Sequence, residues 1–214
     1  MSVSELSRRE RKKEETRRRI FEAAVELFRE RGFEATTVDD ITEKADVARG
    51  TFFNYFPRKD SVLAYLSEER LAVAEANASV LLGGDRPARE RLIEMYCLAA
   101  EAYETNRELS QYVFSELMRR SFTPGEEAGL RWHDLLVQVI EQGRRAGEVR
   151  TDVDAIRAES LLSSVYMSTV YLWLCCPLER LEAWGPSLNA EVRNRLTLVL
   201  DGLAVRHEPG GARS

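Results

Sequence analysis

Apolar residues recur along this chain at helical spacing. Ile20, Ala23, Ala24, Leu27 and Phe28 fall at i, i+3, i+4, i+7 and i+8, while Arg18, Glu22, Glu26 and Arg29 occupy the rest of the turn. The spacing predicts an amphipathic helix from about Lys13 to Arg31, stopped by Gly32. Thr37, three residues before Asp40, forms a helix-start signal, and Val38, Ile41 and Ala45 line one side of a short second helix. Asp46 tolerates a left-handed turn and ends it. A third short helix is expected from about Ala48 to Tyr55, closed by Pro57, and a long fourth from about Lys59 to Leu82, ended by Gly83 and Gly84. Further helices are predicted near Ala88 to Glu104, Arg107 to Ser121, Pro124 to Ala146, Asp154 to Cys175 and Leu188 to Val205. Thr123 with Pro124 marks the start of one of these, and Gly147 marks its end. No period-2 strand pattern or internal repeat appears, so the fold class expected is all-α with about nine helices.

Composition adds limits. The 214 residues include only 12 glycines and 6 prolines, which leaves few breakers for long helices, and 44% hydrophobic content is ample for a core. With 31 basic against 36 acidic side chains the formal net charge is -5, which excludes a uniformly basic nucleic-acid coat but not a local patch. Such a patch exists: residues 8–19 hold eight basic side chains (Arg8, Arg9, Arg11, Lys12, Lys13, Arg17, Arg18, Arg19) against three acidic ones. Three cysteines, two of them adjacent, form no disulfide framework, and a reducing cytoplasm fits them. The longest near-apolar stretch, Val170 to Cys176, is far too short to span a bilayer, so the chain is expected neither to be exported nor to enter a membrane. Cys175 and Cys176 with His133 or His207 lack metal-ligand spacing, and no nucleophile elbow, phosphate loop or dinucleotide fingerprint occurs. Neither enzyme activity nor a metal or cofactor is expected.

Two short helices joined by a three-residue turn match a helix-turn-helix, whose second helix enters the major groove. In that second helix Phe52 and Phe56 are i and i+4 and should face inward with Val47, leaving Arg49, Thr51, Asn54 and Tyr55 outward. A guanidinium can pair bidentately with guanine, and a hydroxyl, amide or phenol can bond base edges or phosphates. Gly50 permits close approach to the duplex.

The stretch from Thr16 to Leu63, TRRRIFEAAVELFRERGFEATTVDDITEKADVARGTFFNYFPRKDSVL, resembles the N-terminal domain of the TetR family of transcriptional regulators. The resemblance implies a homodimer with a three-helix DNA-binding head and a larger ligand-binding body. On the family pattern base contacts fall at Arg49, Gly50 and Thr51, and phosphate contacts at Thr37, Asn54, Tyr55 and Lys59. The chain departs from that pattern where Asp46 replaces a common glycine, where Ala48 replaces a hydroxyl cap, and where the usual aromatic pair followed by histidine reads Phe53, Asn54, Tyr55. The operator sequence therefore does not carry over. The expected organisation is a head with a basic arm over 1–60, a ligand-binding and dimerisation body over 61–208, and a disordered tail over 209–214.

In the body, two apolar stripes near the C-terminus suit either a core or a two-fold four-helix interface, and the resemblance implies that pairing. The interface candidates are Leu162, Tyr166, Trp173, Val192, Leu196, Val199 and Leu203. Aromatic and soft side chains at Tyr103, Phe114, Met118, Trp132, Tyr166 and Met167 suit core packing; the resemblance implies an inducer pocket among them for a largely apolar small molecule. The function expected is a repressor released from a palindromic operator by that ligand. The alternative is a helical dimer serving as a small-molecule or protein-interaction module, with only non-specific DNA binding.

Overall fold

The computed structural model describes residues 8–121, 129–181, 184 and 187–203, without the side chains of Ser121, Leu178 and Leu203. Among these residues there are ten helices: α1 (Arg8–Arg31), α2 (Val38–Lys44), α3 (Arg49–Tyr55), α4 (Asp60–Leu81), α5 (Ala88–Glu104), α6 (Arg107–Ser121), α7 (Leu130–Arg145), α8 (Ala155–Cys175), α9 (Leu178–Leu181) and α10 (Leu188–Leu203). The all-α fold is as the periodicity predicts. The differences are instructive: α1 begins five residues before Lys13, and the four-residue α9 carries too short an apolar pattern to be read. The expected start at Thr123 and Pro124, and the tail over 209–214, lie outside the described residues.

The chain divides into two compact units. The first comprises Met1–Glu68 and Glu108–Pro124. Its core joins Ile20, Ala24, Leu27 and Phe28 of α1 to Ile41 of α2, Phe52 of α3, and Leu109 and Val113 of α6. Phe33, in the loop after α1, meets Phe28 edge-to-face at 5.0 Å and Tyr112 of α6 at 4.8 Å. The unit thus includes a second chain segment, whereas a head ending at residue 60 would be continuous. Periodicity locates helices but says nothing of which distant helix completes a core.

The second unit comprises Glu69–Arg107 and Gly125–Ser214. Within it α10 packs on α5 and α8, and α7 packs on the same two helices. Gly143 of α7 makes the close approach possible, since a Cβ there would lie 2.6 Å from the Cβ of Ala88 on α5. Buried Arg91 donates from Nη1 to the carbonyl of Leu82 at 3.1 Å and to Gln142 Oε1 at 2.5 Å, so one guanidinium serves the end of α4 and the flank of α7. Arg107 does the same for α8, donating to the carbonyls of Trp173 and Cys176 at 2.9 and 2.5 Å. Among the described residues no helix is long and apolar enough to cross a membrane.

Candidate functional site

The helix-turn-helix is built from local chemistry. Thr37 caps α2: its Oγ1 accepts from the Asp40 amide at 3.1 Å while its own amide donates to Asp40 Oδ2 at 2.8 Å, a reciprocal capping box. These bonds from Thr37, with Arg31 nearby, hold the Asp40 carboxyl below its ordinary range. After α2 the chain turns through Asp46 at φ 49, the left-handed conformation its side chain tolerates. Ala48 then starts α3 without any side-chain cap. Helix α3 is held from inside instead: Phe52 and Phe56 are 0% and 1% exposed, and burying each ring stabilises the unit by about 1.5–3 kcal/mol.

That anchoring decides what faces out. Arg49, Gly50 and Asn54 are exposed, Thr51 and Tyr55 half-buried, and Tyr55 also packs against the head core. A Cβ at Gly50 would meet nothing within 4 Å, so the ridge is open there. Arg49 is already engaged: its Nη1 donates to both carboxylate oxygens of Asp39, at 2.6 and 2.8 Å, and its guanidinium carbon lies 5.8 Å from the Phe53 ring centroid. Both ions are well exposed, 61% and 70%, so the pair is worth at most about 1 kcal/mol and is easily exchanged.

Lys59 and Thr37 differ from the other candidates. The Lys59 ammonium donates to the carbonyls of Phe33 and Thr36 at 2.7 and 2.9 Å and sits 4.1 Å from the Phe33 ring centroid. It ties α4 to the loop before α2, which leaves one of its three N–H groups. The Thr37 hydroxyl donates to the Asp40 carboxylate and accepts from the Asp40 amide, so its donor is spent on the cap. In the basic run, Arg17 is half-buried with its guanidinium 4.2 Å from the Tyr65 ring centroid, and Arg18 pairs with Glu22 at 2.7 Å. Arg8, Arg9, Arg11, Lys12, Lys13 and Arg19 stand exposed along α1.

The ligand candidates divide. Phe114 and Met118 fall in the first unit, while Tyr103, Trp132, Tyr166 and Met167 fall in the second. Trp132 and Tyr166 both pack on Tyr96, at 6.1 and 5.1 Å between centroids. Tyr96 is a residue that pattern alone did not single out. Its hydroxyl bonds Ser163 Oγ at 2.9 Å, Ser163 donates to Glu159 Oε1, and the same oxygen receives His133 Nδ1 at 2.5 Å. Burial pushes the Tyr96 and Tyr166 phenols far up, so both stay neutral donors. A signal for this chain existed: Glu159 sits among Ala155, Leu162 and Tyr166 at core spacing, and a buried carboxylate demands partners. A separate open groove of about 370 Å³ lies between α4 and α5, over Val73, Ala74 and Leu98, and includes none of the six candidates.

The interface candidates lie largely inside their own chain. Leu162, Val192 and Leu196 are wholly buried and Tyr166 nearly so, because α5, α8 and α10 pack together and consume the most apolar stripe of each. Trp173 and Val199 are half-buried, and the Leu203 side chain lies outside the described residues. The open face of α8 is another stripe, Leu161, Ser164, Ser168, Tyr171 and Cys175; on α10 Leu198 is 73% exposed.

Comparison with known proteins agrees with this geometry. Residues 20–66 match the family model described as bacterial regulatory proteins, tetR family. The solved structure of Thermus thermophilus FadR, a TetR-family transcriptional repressor in complex with lauroyl-CoA, is 32% identical, with a TM-score of 0.71, over 92% of this chain and 100% of that one. The chain belongs to the TetR family. This TetR-family member is a DNA-binding transcriptional regulator, as its relatives are. It is 27% identical to the transcriptional repressor KstR2 of Rhodococcus jostii over 89% of this chain and 92% of that protein. It is also 24% identical to the fatty acid metabolism regulator protein of Bacillus subtilis, over 72% and 81%.

Proposed function

We propose that this regulator is a homodimeric repressor whose α3 reads a palindromic operator in the major groove and which an acyl-CoA thioester releases from DNA. The observation that carries the DNA half is the division of α3: Phe52 and Phe56 are locked inside, and Arg49, Gly50 and Asn54 project from the same short helix. Arg49 and Thr51 would address base edges, Gly50 the close approach, and Asn54 and Tyr55 the phosphates. Lys59 and Thr37 would serve mainly by holding the loop and α2 in place, each with less to offer a phosphate directly. The exposed cations of α1 supply the sequence-independent attraction.

Reading a palindrome needs two heads about 34–36 Å apart, hence a two-fold partner. The stripe from Leu161 to Cys175 offers apolar side chains separated by serines, which permit close helix approach, and on α10 Leu198 is a further exposed apolar side chain. We assign dimerisation to this face and DNA to the first compact unit.

The acyl-CoA assignment is supported by the relative bound to lauroyl-CoA, which is 32% identical over 92% of this chain. Release requires that the ligand favour a conformation mismatched to the operator, because equal affinity for both states shifts nothing. The test is selection of bound sequences from random DNA, followed by titration of the complex with lauroyl-CoA, free CoA and laurate. An enriched palindrome released by lauroyl-CoA alone is expected. Failure to enrich any sequence overturns the operator reading; enrichment without release overturns the thioester reading only.

A further inference from the structure

Base-reading arginines act through five N–H groups on a long flexible stem, and their selectivity depends on which edge they present. Here one end of the guanidinium has a partner before any DNA arrives, which biases the choice. Asp39, at the start of α2, takes Nη1 of Arg49 with both carboxylate oxygens, at 2.6 and 2.8 Å, across ten residues of sequence. The Phe53 ring lies 5.8 Å from the same guanidinium carbon. With Nη1 turned to Asp39, the edge formed by Nε and Nη2 remains for a bidentate partner.

We propose that Asp39 is a positioning residue for operator recognition, holding Arg49 so that its Nε–Nη2 edge meets the O6 and N7 acceptors of a guanine. This rests on the operator reading given above. The carboxylate has a second effect. It cancels the arginine charge toward phosphates, so the pair contributes little on random DNA and strongly only where a guanine is in place. The geometry therefore favours discrimination over affinity. A role confined to α2 would be different, because an acidic first-turn residue supports any helix and would show only as stability.

The experiment compares the wild-type protein, D39A, R49A and the double variant by selection from random DNA, with binding to non-specific duplex measured against salt and a thermal melt for each. We expect D39A to broaden the same base-pair positions that R49A broadens, with up to about a five-fold loss of guanine preference, and the double variant to add nothing at those positions. We also expect D39A to bind random duplex more tightly, with a salt slope steeper by about one phosphate contact. D39A keeping the wild-type preference, or broadening different positions, overturns the proposal while leaving the operator reading intact. A lower melting temperature with unchanged preference assigns Asp39 to α2 alone and overturns it as well. If the wild-type protein enriches no sequence, the operator reading fails and the proposal falls with it.

Discussion

The imidazole of His133 on α7 meets the carboxylate of Glu159 on α8 at 2.5 Å, and Glu159 is 6% exposed while His133 is 47% exposed. The bond to Glu159 raises the His133 pKa above its ordinary 6.5 against the opposing effect of partial burial. On Glu159 burial pushes the carboxyl up, but the bonds from His133 and Ser163 outweigh it and hold it below 4.5. The histidine contribution is complete below pH 6.5 and fades as pH rises through the raised value; the carboxylate contribution is complete above 4.5 and fades as pH falls through the lowered one. His133→Ala should therefore destabilise the fold most between about pH 5 and 6.5, by about 1–2 kcal/mol after allowing for the histidine's exposure, and least at pH 9. Thermal melts across that range check it; a pH-independent difference contradicts the pairing.

Arg49→Ala is expected to weaken operator binding by about 1–3 kcal/mol and relax the preference at one position in each half-site. Fluorescence anisotropy on the operator and on random duplex measures both. An equal loss on the two DNAs places Arg49 on phosphate.

Lys59→Ala should act on stability. It removes donors from the buried-side carbonyls of Phe33 and Thr36, at a cost of about 1–3 kcal/mol, visible as a lower denaturant midpoint. Lys13→Ala, on the exposed arm of α1, should leave the midpoint unchanged and reduce the salt slope of DNA binding by about 0.9.

On α10 two leucines two residues apart should behave oppositely. Leu196 is fully buried, so Leu196→Ala should destabilise the fold by about 2–5 kcal/mol. Leu198 is largely exposed, so Leu198→Asp should leave the melting of the fold nearly unchanged at high protein concentration and shift the sedimentation equilibrium toward monomer. A dimer untouched by Leu198→Asp and by Tyr171→Asp would place the interface elsewhere.

Much of the head was legible in order of residues alone because its signals are local. The cap at Thr37, the left-handed Asp46, the uncapped Ala48 and the i, i+4 pair Phe52 and Phe56 each involve neighbours within a turn or two, and each stands where spacing puts it. Helical class follows from the same short-range periodicity. What required the tertiary structure were contacts across long separations. Lys59 reaches back 26 residues to a carbonyl, Asp39 takes Arg49 across a turn, and α6 completes the head core from beyond residue 107. The stripes of α8 and α10 show the limit most plainly: periodicity identifies an apolar face, but a face bound to its own chain and one bound to a partner bury the same side chains. Only the packing of α5, α8 and α10 settled which residues were consumed inside, leaving Leu161, Tyr171 and Leu198 open, because hydrophobic burial has no direction of its own.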